Sequence, residues 1–177
     1  MRKLIALMTA GALALGVVGV AMANGGSDRR TFKASLGGYQ EVPAISTTGS
    51  GKLTLTLNSA GTELGYTLTF SGLQGGNAAA AHIHFAQPGV NGAVVADLCG
   101  GMKPACPAAT AGTVSGVITA ANILAVPAQG IAAGEFAEVL KAIRSGVTYA
   151  NVHTASFGGG EIRGQINGKR GGDKHDD

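Results

Sequence analysis

The amino-acid sequence predicts an all-β fold, an antiparallel β-sandwich or barrel with one short α-helix. Apolar and polar residues alternate over several short segments, which is the period of a half-buried strand. Turn-forming pairs rich in Gly, Asn and Pro separate these segments, as they do in sandwiches and barrels. One segment instead repeats its apolar residues every three or four positions, which is the period of a helix.

Seven segments are predicted as strands: 31–36, 52–57, 64–70, 80–85, 113–118, 148–152 and 161–166. The clearest is 52–57, where three leucines fall on one face and polar side chains on the other. Asn58-Ser59-Ala60-Gly61 separates it from 64–70, so these two strands are expected to form an antiparallel hairpin.

The predicted helix is residues 135–144. Its apolar residues follow the i, i+3, i+4, i+7 spacing, and Ser145-Gly146 stands as a stop signal. We expect this helix to cover one end or edge of the sandwich. Residues 168–177 are polar and have no hydrophobic pattern, so they are predicted to be a disordered tail.

The first residues predict export to the periplasm or the extracellular space. Arg2 and Lys3 precede an apolar run, and Ala21-Met22-Ala23 is a small-x-small cleavage site. We expect residues 1–23 to be removed as a signal peptide, residues 24–30 to form a linker, and the mature protein to have no membrane span.

Composition argues against nucleic acid as a partner. Without Arg2 and Lys3, the 13 basic side chains fall to 11, against 10 acidic ones. A surface so balanced in charge lacks the basic footprint that phosphate backbones require.

Cys99 and Cys106, with six residues between them, are the only cysteines in the chain. In an oxidising compartment they predict a local disulfide that closes a loop. The alternative is a pair of soft metal ligands, although a thiolate site usually has further cysteines or histidines nearby.

Three histidines offer the clearest route to chemistry. On the strand 80–85, His82 and His84 project from the same face, about 7 Å apart at their Cα atoms. His153 lies in the segment 149–154 and joins them if the two strands are neighbours. Three imidazoles with an open position suit copper or zinc, so these residues are the candidate ligands of a metal site.

A structural role is the other interpretation of the same rings. The imidazoles would then tie strand to strand through hydrogen bonds to Asn151, Thr154, Glu161 or backbone carbonyls. The sequence leaves both interpretations open.

A second polar group lies on the last predicted strand, where Glu161, Arg163 and Gln165 share one face. Arg163 is expected to hold a carboxylate in a bidentate pair, and Glu161 and Glu41 are the candidate partners. Such a pair would lock a terminal strand, with a role in binding as the alternative.

Several separated motifs in this order resemble the CHRD (chordin-like) domain. They are FKASL at 32–36, QEVP at 40–43, AHIH at 81–84, GVNG at 89–92, YANVHT at 149–154 and GEIRGQI at 160–166. The resemblance spans residues 31–167 and implies an extracytoplasmic, immunoglobulin-like β-barrel. Animal members include the growth-factor antagonist chordin, and bacterial members are exported proteins of largely undefined role. The insert at 99–106 and the Ala-rich stretch 120–133 depart from the pattern.

The histidine-bearing strands are also similar to the copper/zinc superoxide dismutase sandwich. That likeness implies six His and one Asp around two metals, and only His82, His84 and His153 lie inside this domain, so a mononuclear site is the most it supports. Hydrolase, zinc-protease and phosphate-binding motifs are absent from the sequence. The leading hypothesis is therefore a non-catalytic module that binds a protein or matrix partner, and the alternative is a copper- or zinc-binding protein.

Overall fold

The computed structural model describes residues 30–167. The predicted signal peptide, residues 24–29 of the predicted linker and the predicted tail lie outside the described residues. Within residues 30–167, no helix combines the length and apolar character needed to cross a bilayer.

The described chain consists mainly of β-strands, as predicted. The strands are β1 (Thr31–Gly37), β2 (Ser50–Leu57), β3 (Leu64–Ser71), β4 (Ala78–Phe85), β5 (Ala93–Cys99), β6 (Gly112–Ile118), β7 (Thr148–Thr154) and β8 (Ile162–Gln165). The α-helix α1 is Phe136–Arg144, and short 3-10 turns lie at Gly38–Gln40, Ala120–Asn122 and Pro127–Gln129.

These strands form one antiparallel sheet in the order β5-β4-β7-β8-β1-β2-β3-β6. The sheet curls until its two ends approach each other, and the Tyr66 hydroxyl on β3 donates a hydrogen bond to the Leu98 carbonyl on β5 at 2.7 Å. The result is a nearly closed barrel around one hydrophobic core, which confirms the predicted fold class.

The hairpin of β2 and β3 follows its sequence pattern closely. Leu53, Leu55 and Leu68 are fully buried, whereas Lys52 and Thr67 are exposed. Burying aliphatic side chains on one face of each strand is the main contribution of this hairpin to stability, at about 2 kcal/mol per fully buried leucine.

Strand β5 is the element that the sequence pattern does not reveal. Its residues are almost continuously apolar, and positions 95–99 are all buried, so no alternation marks them as a strand. The pairing of β5 with β4 is also irregular, with register shifts between Ala81 and His82 and between Ile83 and His84. A bulge of this kind changes the direction of side chains along the strand.

The helix α1 begins one residue later than predicted. Glu135 is the N-cap residue, because its ψ of 63° is not helical, and its carboxylate accepts a hydrogen bond from the Ala132 N–H at 2.6 Å. Phe136, Val139 and Ile143 are buried in the core, as the helical spacing predicts.

Loops cover the outer face of β4, β7 and β8. Asn151, Glu161 and Arg163 lie on strands or at a strand end, yet each is at most 2 % exposed. The covering segments follow β1, β4 and β7. A layer of polar side chains is therefore enclosed between the sheet and these loops, and it contains the candidate site.

Candidate functional site

The structure brings three histidines together on the outer face of β4 and β7. One ring nitrogen from each of His82, His84 and His153 lies within 4.8 Å of the others. Neighbouring strands produce this arrangement, since His82 pairs with Asn151 and Ala80 with His153 in the β4–β7 ladder. Residues 71 positions apart in the chain thus become side-by-side neighbours.

His84 presents an unpaired nitrogen to the cluster. Its Nδ1 lies 3.0 Å from the Gly92 carbonyl, which can only accept, so Nδ1 carries the proton. Its Nε2 therefore carries a lone pair, and this atom is buried without a hydrogen-bond partner. A buried acceptor with no donor is costly, and a bound cation would remove that cost.

His153 is oriented in the same way. Its Nδ1 donates to the Gly158 carbonyl at 3.0 Å, which leaves a lone pair on Nε2. This lone pair lies 3.0 Å from Nδ1 of His82. The other nitrogen of His82, Nε2, lies 3.6 Å from an oxygen of Asp97 on β5.

Burial keeps the three rings neutral. It lowers the pKa of His84 to about 4, with a smaller opposing effect from the bond to Gly92. Burial also lowers the pKa of His82, helped by the neighbouring His153 and opposed by Asp97. The pKa of His153 is lowered by burial too. Neutral imidazole is the form that ligates metals.

A stack of three side chains supports His84. The ring of Tyr149 lies parallel to the His84 ring, at 4.6 Å between centroids and 4° between planes. On its other face, the Arg163 guanidinium lies 3.4 Å from the Tyr149 centroid, which is a close cation–π contact. Gly92 holds both rings, because its N–H donates to the Tyr149 hydroxyl at 3.3 Å and its carbonyl accepts from His84.

The prediction that Arg163 forms a bidentate pair with a carboxylate is wrong. The guanidinium donates to Asn91 Oδ1 at 3.2 Å, to the Val90 carbonyl at 2.8 Å and to the Gln87 carbonyl at 3.4 Å. None of these acceptors is a carboxylate. Arg163 instead fixes the loop that carries Gly92, because its planar fork can reach several acceptors at once.

Glu161 ties two loops to the end of β7 rather than pairing with Arg163. Its carboxylate accepts the N–H groups of Gln74 and Gly75 at 2.6 and 2.9 Å and the hydroxyls of Thr47 and Thr154 at 2.7 and 2.9 Å. Burial alone would raise the pKa of Glu161, but these four donors outweigh it and lower the pKa below its ordinary value.

Glu41 is the second buried glutamate of this layer. The Asn151 amide donates to its two oxygens at 3.0 and 3.2 Å. Burial raises the pKa of Glu41 to about 7, although Arg163 and Asn151 both act to lower it. Gly160 lies flat over this pair, and a Cβ there would collide with both side chains.

Gln165, the remaining polar residue that the sequence singled out on the last strand, binds backbone carbonyls of two loops. Gln165 donates to the Ala86 and Gly146 carbonyls at 3.0 and 2.8 Å. Sequence reasoning missed Tyr149, Gly92 and Asp97 as neighbours of the histidines. Alternation places Tyr149 on the same face as His153 and was the one available signal. The other two reach the site through a loop and an irregular strand.

The predicted disulfide is confirmed. Cys99, at the end of β5, is bonded to Cys106, which lies seven positions later, and the bond closes the loop between them. Cys99 is 2 % exposed and belongs to the hydrophobic core. The two cysteines therefore do not serve as a pair of soft metal ligands in this structure.

The sequence profile of the CHRD domain matches residues 32–166. The chain belongs to the CHRD domain family. No curated protein and no solved structure gives a significant match. In this CHRD domain, the GVNG motif supplies Asn91 and Gly92, and the GEIRGQI motif supplies Glu161 and Arg163. Both motifs therefore build the polar layer around the histidines.

Proposed function

We propose that this CHRD domain is a non-catalytic binding module that acts outside the cytoplasm and that its ligand is a copper or zinc ion. The observation that supports this proposal most directly is the convergence of three imidazole nitrogens. Two of the rings are held in orientation by hydrogen bonds from their opposite nitrogens. His84 and His153 each donate the opposite N–H to a backbone carbonyl. Metal-ligating histidines in proteins are typically held in this way.

The spacing of the nitrogens suits a single ion. In a tetrahedral site, two imidazole nitrogens that each lie about 2.1 Å from the metal are about 3.4 Å apart. His82 Nδ1 and His153 Nε2 are already 3.0 Å apart, and the widest pair of the three lies within 4.8 Å. The widest pair must therefore close by on the order of 1 Å when an ion binds. Three histidines leave one further position for an exogenous ligand, which suits zinc or copper.

Titration with Zn²⁺ and Cu²⁺, followed by calorimetry at neutral pH, tests this function. We expect one ion per chain, and His82→Ala and His153→Ala should each weaken binding by more than about a hundredfold. His175→Ala is the matched control, since His175 is the fourth histidine of the chain and lies outside the described residues. Far-ultraviolet circular dichroism checks that each variant folds.

The competing role is a module that binds a protein or matrix partner through its surface. It predicts no heat above dilution in the metal titration, or a weak signal that survives both histidine substitutions. Either result would refute the metal function and leave the structural role of the imidazoles, which the bonds to Gly92 and Gly158 also fit.

Export is the second part of the proposal. A disulfide between Cys99 and Cys106 suits an oxidising compartment, and residues 21–23 fit the small-x-small pattern that predicts signal-peptide cleavage. Mass spectrometry of the protein from cell fractions tests this. We expect an N-terminus at Asn24 and bridged cysteines outside the cytoplasm, and a full-length cytoplasmic protein with free thiols would contradict it.

A further inference from the structure

The loop that the disulfide closes after β5 contacts Asp97, the acidic residue that faces His82. Asp97 is 6 % exposed, and its Oδ1 lies 3.6 Å from His82 Nε2. Its other oxygen, Oδ2, accepts the N–H of Met102 at 2.8 Å. Met102 lies inside the loop that Cys99 and Cys106 close. One carboxylate therefore faces the histidine cluster with one oxygen and holds the loop with the other.

We infer that Asp97 is a positioning residue of the histidine site and that the disulfide-closed loop holds it in place, so that metal affinity depends on the disulfide. This inference rests on the proposed metal function and adds a regulatory element to it.

Asp97 acts by influencing which ring nitrogen of His82 carries the proton. The lone pair on His153 Nε2 faces His82 Nδ1 across 3.0 Å, so in the metal-free protein His82 donates its Nδ1 proton to His153. A metal at this position must bind a lone pair on His153 Nε2 and another on His82 Nδ1. The His82 proton must then move to Nε2, the nitrogen that faces Asp97.

The carboxylate favours this second tautomer. At 3.6 Å it acts by its charge rather than through a hydrogen bond, and in a buried setting this charge stabilises an N–H directed at it. It also stabilises the positive charge that a bound metal places on the ring. Partners of this kind, behind a metal ligand, change metal affinity by about 10 to 100-fold.

The loop is shaped to hold Asp97. Within it, the Gly100 N–H donates to the Pro104 carbonyl, and the Lys103 N–H donates to the Gly100 carbonyl. Gly101 has a positive φ of 55° and lies so close to the Asp97 carboxylate that a Cβ would collide with it. The loop backbone thus lies directly against the carboxylate, and Met102 supplies the hydrogen bond.

Reduction of the disulfide would release this contact. A dithiol reductant supplies two electrons, the S–S bond breaks, each sulfur gains a proton to become a thiol, and the reductant is oxidised to its own disulfide. Cys99 is buried in the core, so its freed thiol is directed away from the histidines. The effect on metal affinity would therefore pass through the loop and Asp97.

The test compares Zn²⁺ affinities of the chain with its disulfide formed and of three variants. Cys99→Ala with Cys106→Ser opens the loop without a dithiol, because dithiols themselves bind metal. Met102→Pro removes the N–H that Asp97 accepts and also fixes φ at residue 102, and Asp97→Asn removes the charge but keeps an amide oxygen that can accept that N–H. Each should weaken Zn²⁺ binding by about tenfold, and combining Asp97→Asn with the opened loop should add little further loss.

A spectroscopic measurement separates positioning from general destabilisation. Nitrogen chemical shifts of the His82 ring report which nitrogen carries the proton. In the Zn²⁺-bound chain we expect the proton on Nε2, and in metal-free Asp97→Asn the population of this tautomer should fall. Glu63→Gln, which changes an exposed carboxylate, should alter neither the shifts nor the affinity.

The outcomes distinguish the two proposals. Absence of Zn²⁺ binding by the unmodified chain would overturn the proposed function together with this inference. Binding that is equally tight in Asp97→Asn and in the opened loop would overturn this inference alone. Fully additive losses would show that the loop and Asp97 act separately, which also contradicts it. If the opened-loop variant fails to fold, Met102→Pro and Asp97→Asn still decide the result.

Discussion

The outer faces of the two halves of the barrel differ in solvent exposure. On β2 and β3 the outward residues, such as Lys52, Thr67 and Thr69, are exposed to solvent. On β7 and β8 the outward positions carry Asn151 and Arg163, which are each 2 % exposed beneath loops. The first half is a one-sided sheet, and the second half is enclosed on both sides.

This difference determines what a polar side chain contributes. An exposed charge on the first half interacts mainly with water, so its removal changes stability little. A buried charge on the second half must be satisfied by the protein, so its removal leaves partners unpaired. Substitutions of the same residue type on the two halves should therefore differ in effect, and the following predictions test this in order of size.

The largest difference is expected for glutamate. Glu161→Ala leaves two N–H groups and two hydroxyls without their acceptor, so it should lower the free energy of unfolding by about 3 kcal/mol or more. Glu63→Ala, at an exposed position near the β2–β3 turn, should change it by less than about 0.5 kcal/mol. Denaturant unfolding measures both. Equal losses would contradict the comparison.

The second effect depends on pH and on His84. Its pKa is about 4 in the fold, below the ordinary value of 6.5, so the unfolded chain binds the proton first as the pH falls. The stability that this neutral ring contributes is present above pH 6.5 and is lost between pH 6.5 and pH 4, by about 2 to 3 kcal/mol.

His84→Phe isolates that contribution in metal-free protein. Phenylalanine retains the stacking on Tyr149 but cannot titrate, so the variant should lose less stability than the parent chain as the pH falls from 7 to 4. Urea unfolding at several pH values gives the two curves. Parallel curves would show that His84 is not a neutral buried ring.

Arginine and lysine should also differ between the halves. Arg163→Lys keeps the charge but cannot satisfy acceptors at Asn91, Val90 and Gln87 together, so we expect a loss of about 2 kcal/mol. The loop that orients His84 should loosen as well. Lys52→Ala, on the exposed face of β2, serves as the control, with a change of less than about 0.5 kcal/mol. Thermal unfolding and amide exchange at Gly92 check both.

The smallest predicted effect is a gain in stability. The pKa of Glu41 is about 7 in the fold, above its ordinary 4.5, so folding becomes less favourable as the pH rises from 4.5 through 7. Glu41→Gln removes the buried charge and offers an amide to the unpaired Asn151 Oδ1. At pH 8 it should stabilise the protein by about 1 kcal/mol, and at pH 4 by less. A loss at pH 8 would contradict the cost assigned to the ionised form.

The sequence was informative where one face of a strand is exposed. The alternation of β2 and β3 and the spacing in α1 predict these elements because burial and side-chain periodicity coincide there. Strand β5 has no such signal, since positions 95–99 are buried without alternation.

The candidate site was predictable only in part. Alternation places His82 and His84 on one face, and it brings in His153 once β4 and β7 are neighbours. The partners of Arg163 were not predictable, because its acceptors are backbone carbonyls of a loop whose path has no sequence period. The contact of Asp97 with His82 depends on a register irregularity that no local pattern announces.

The separation of 71 positions between His82 and His153 has a consequence for biosynthesis. A growing or translocating chain holds at most two of the three imidazoles until β7 has emerged, and its neighbours β4 and β8 must then pair with it. Under the proposed function, the ion would be captured late, after the polypeptide has reached its destination. The surroundings in which folding finishes, rather than those of the ribosome, would then determine which metal the protein acquires.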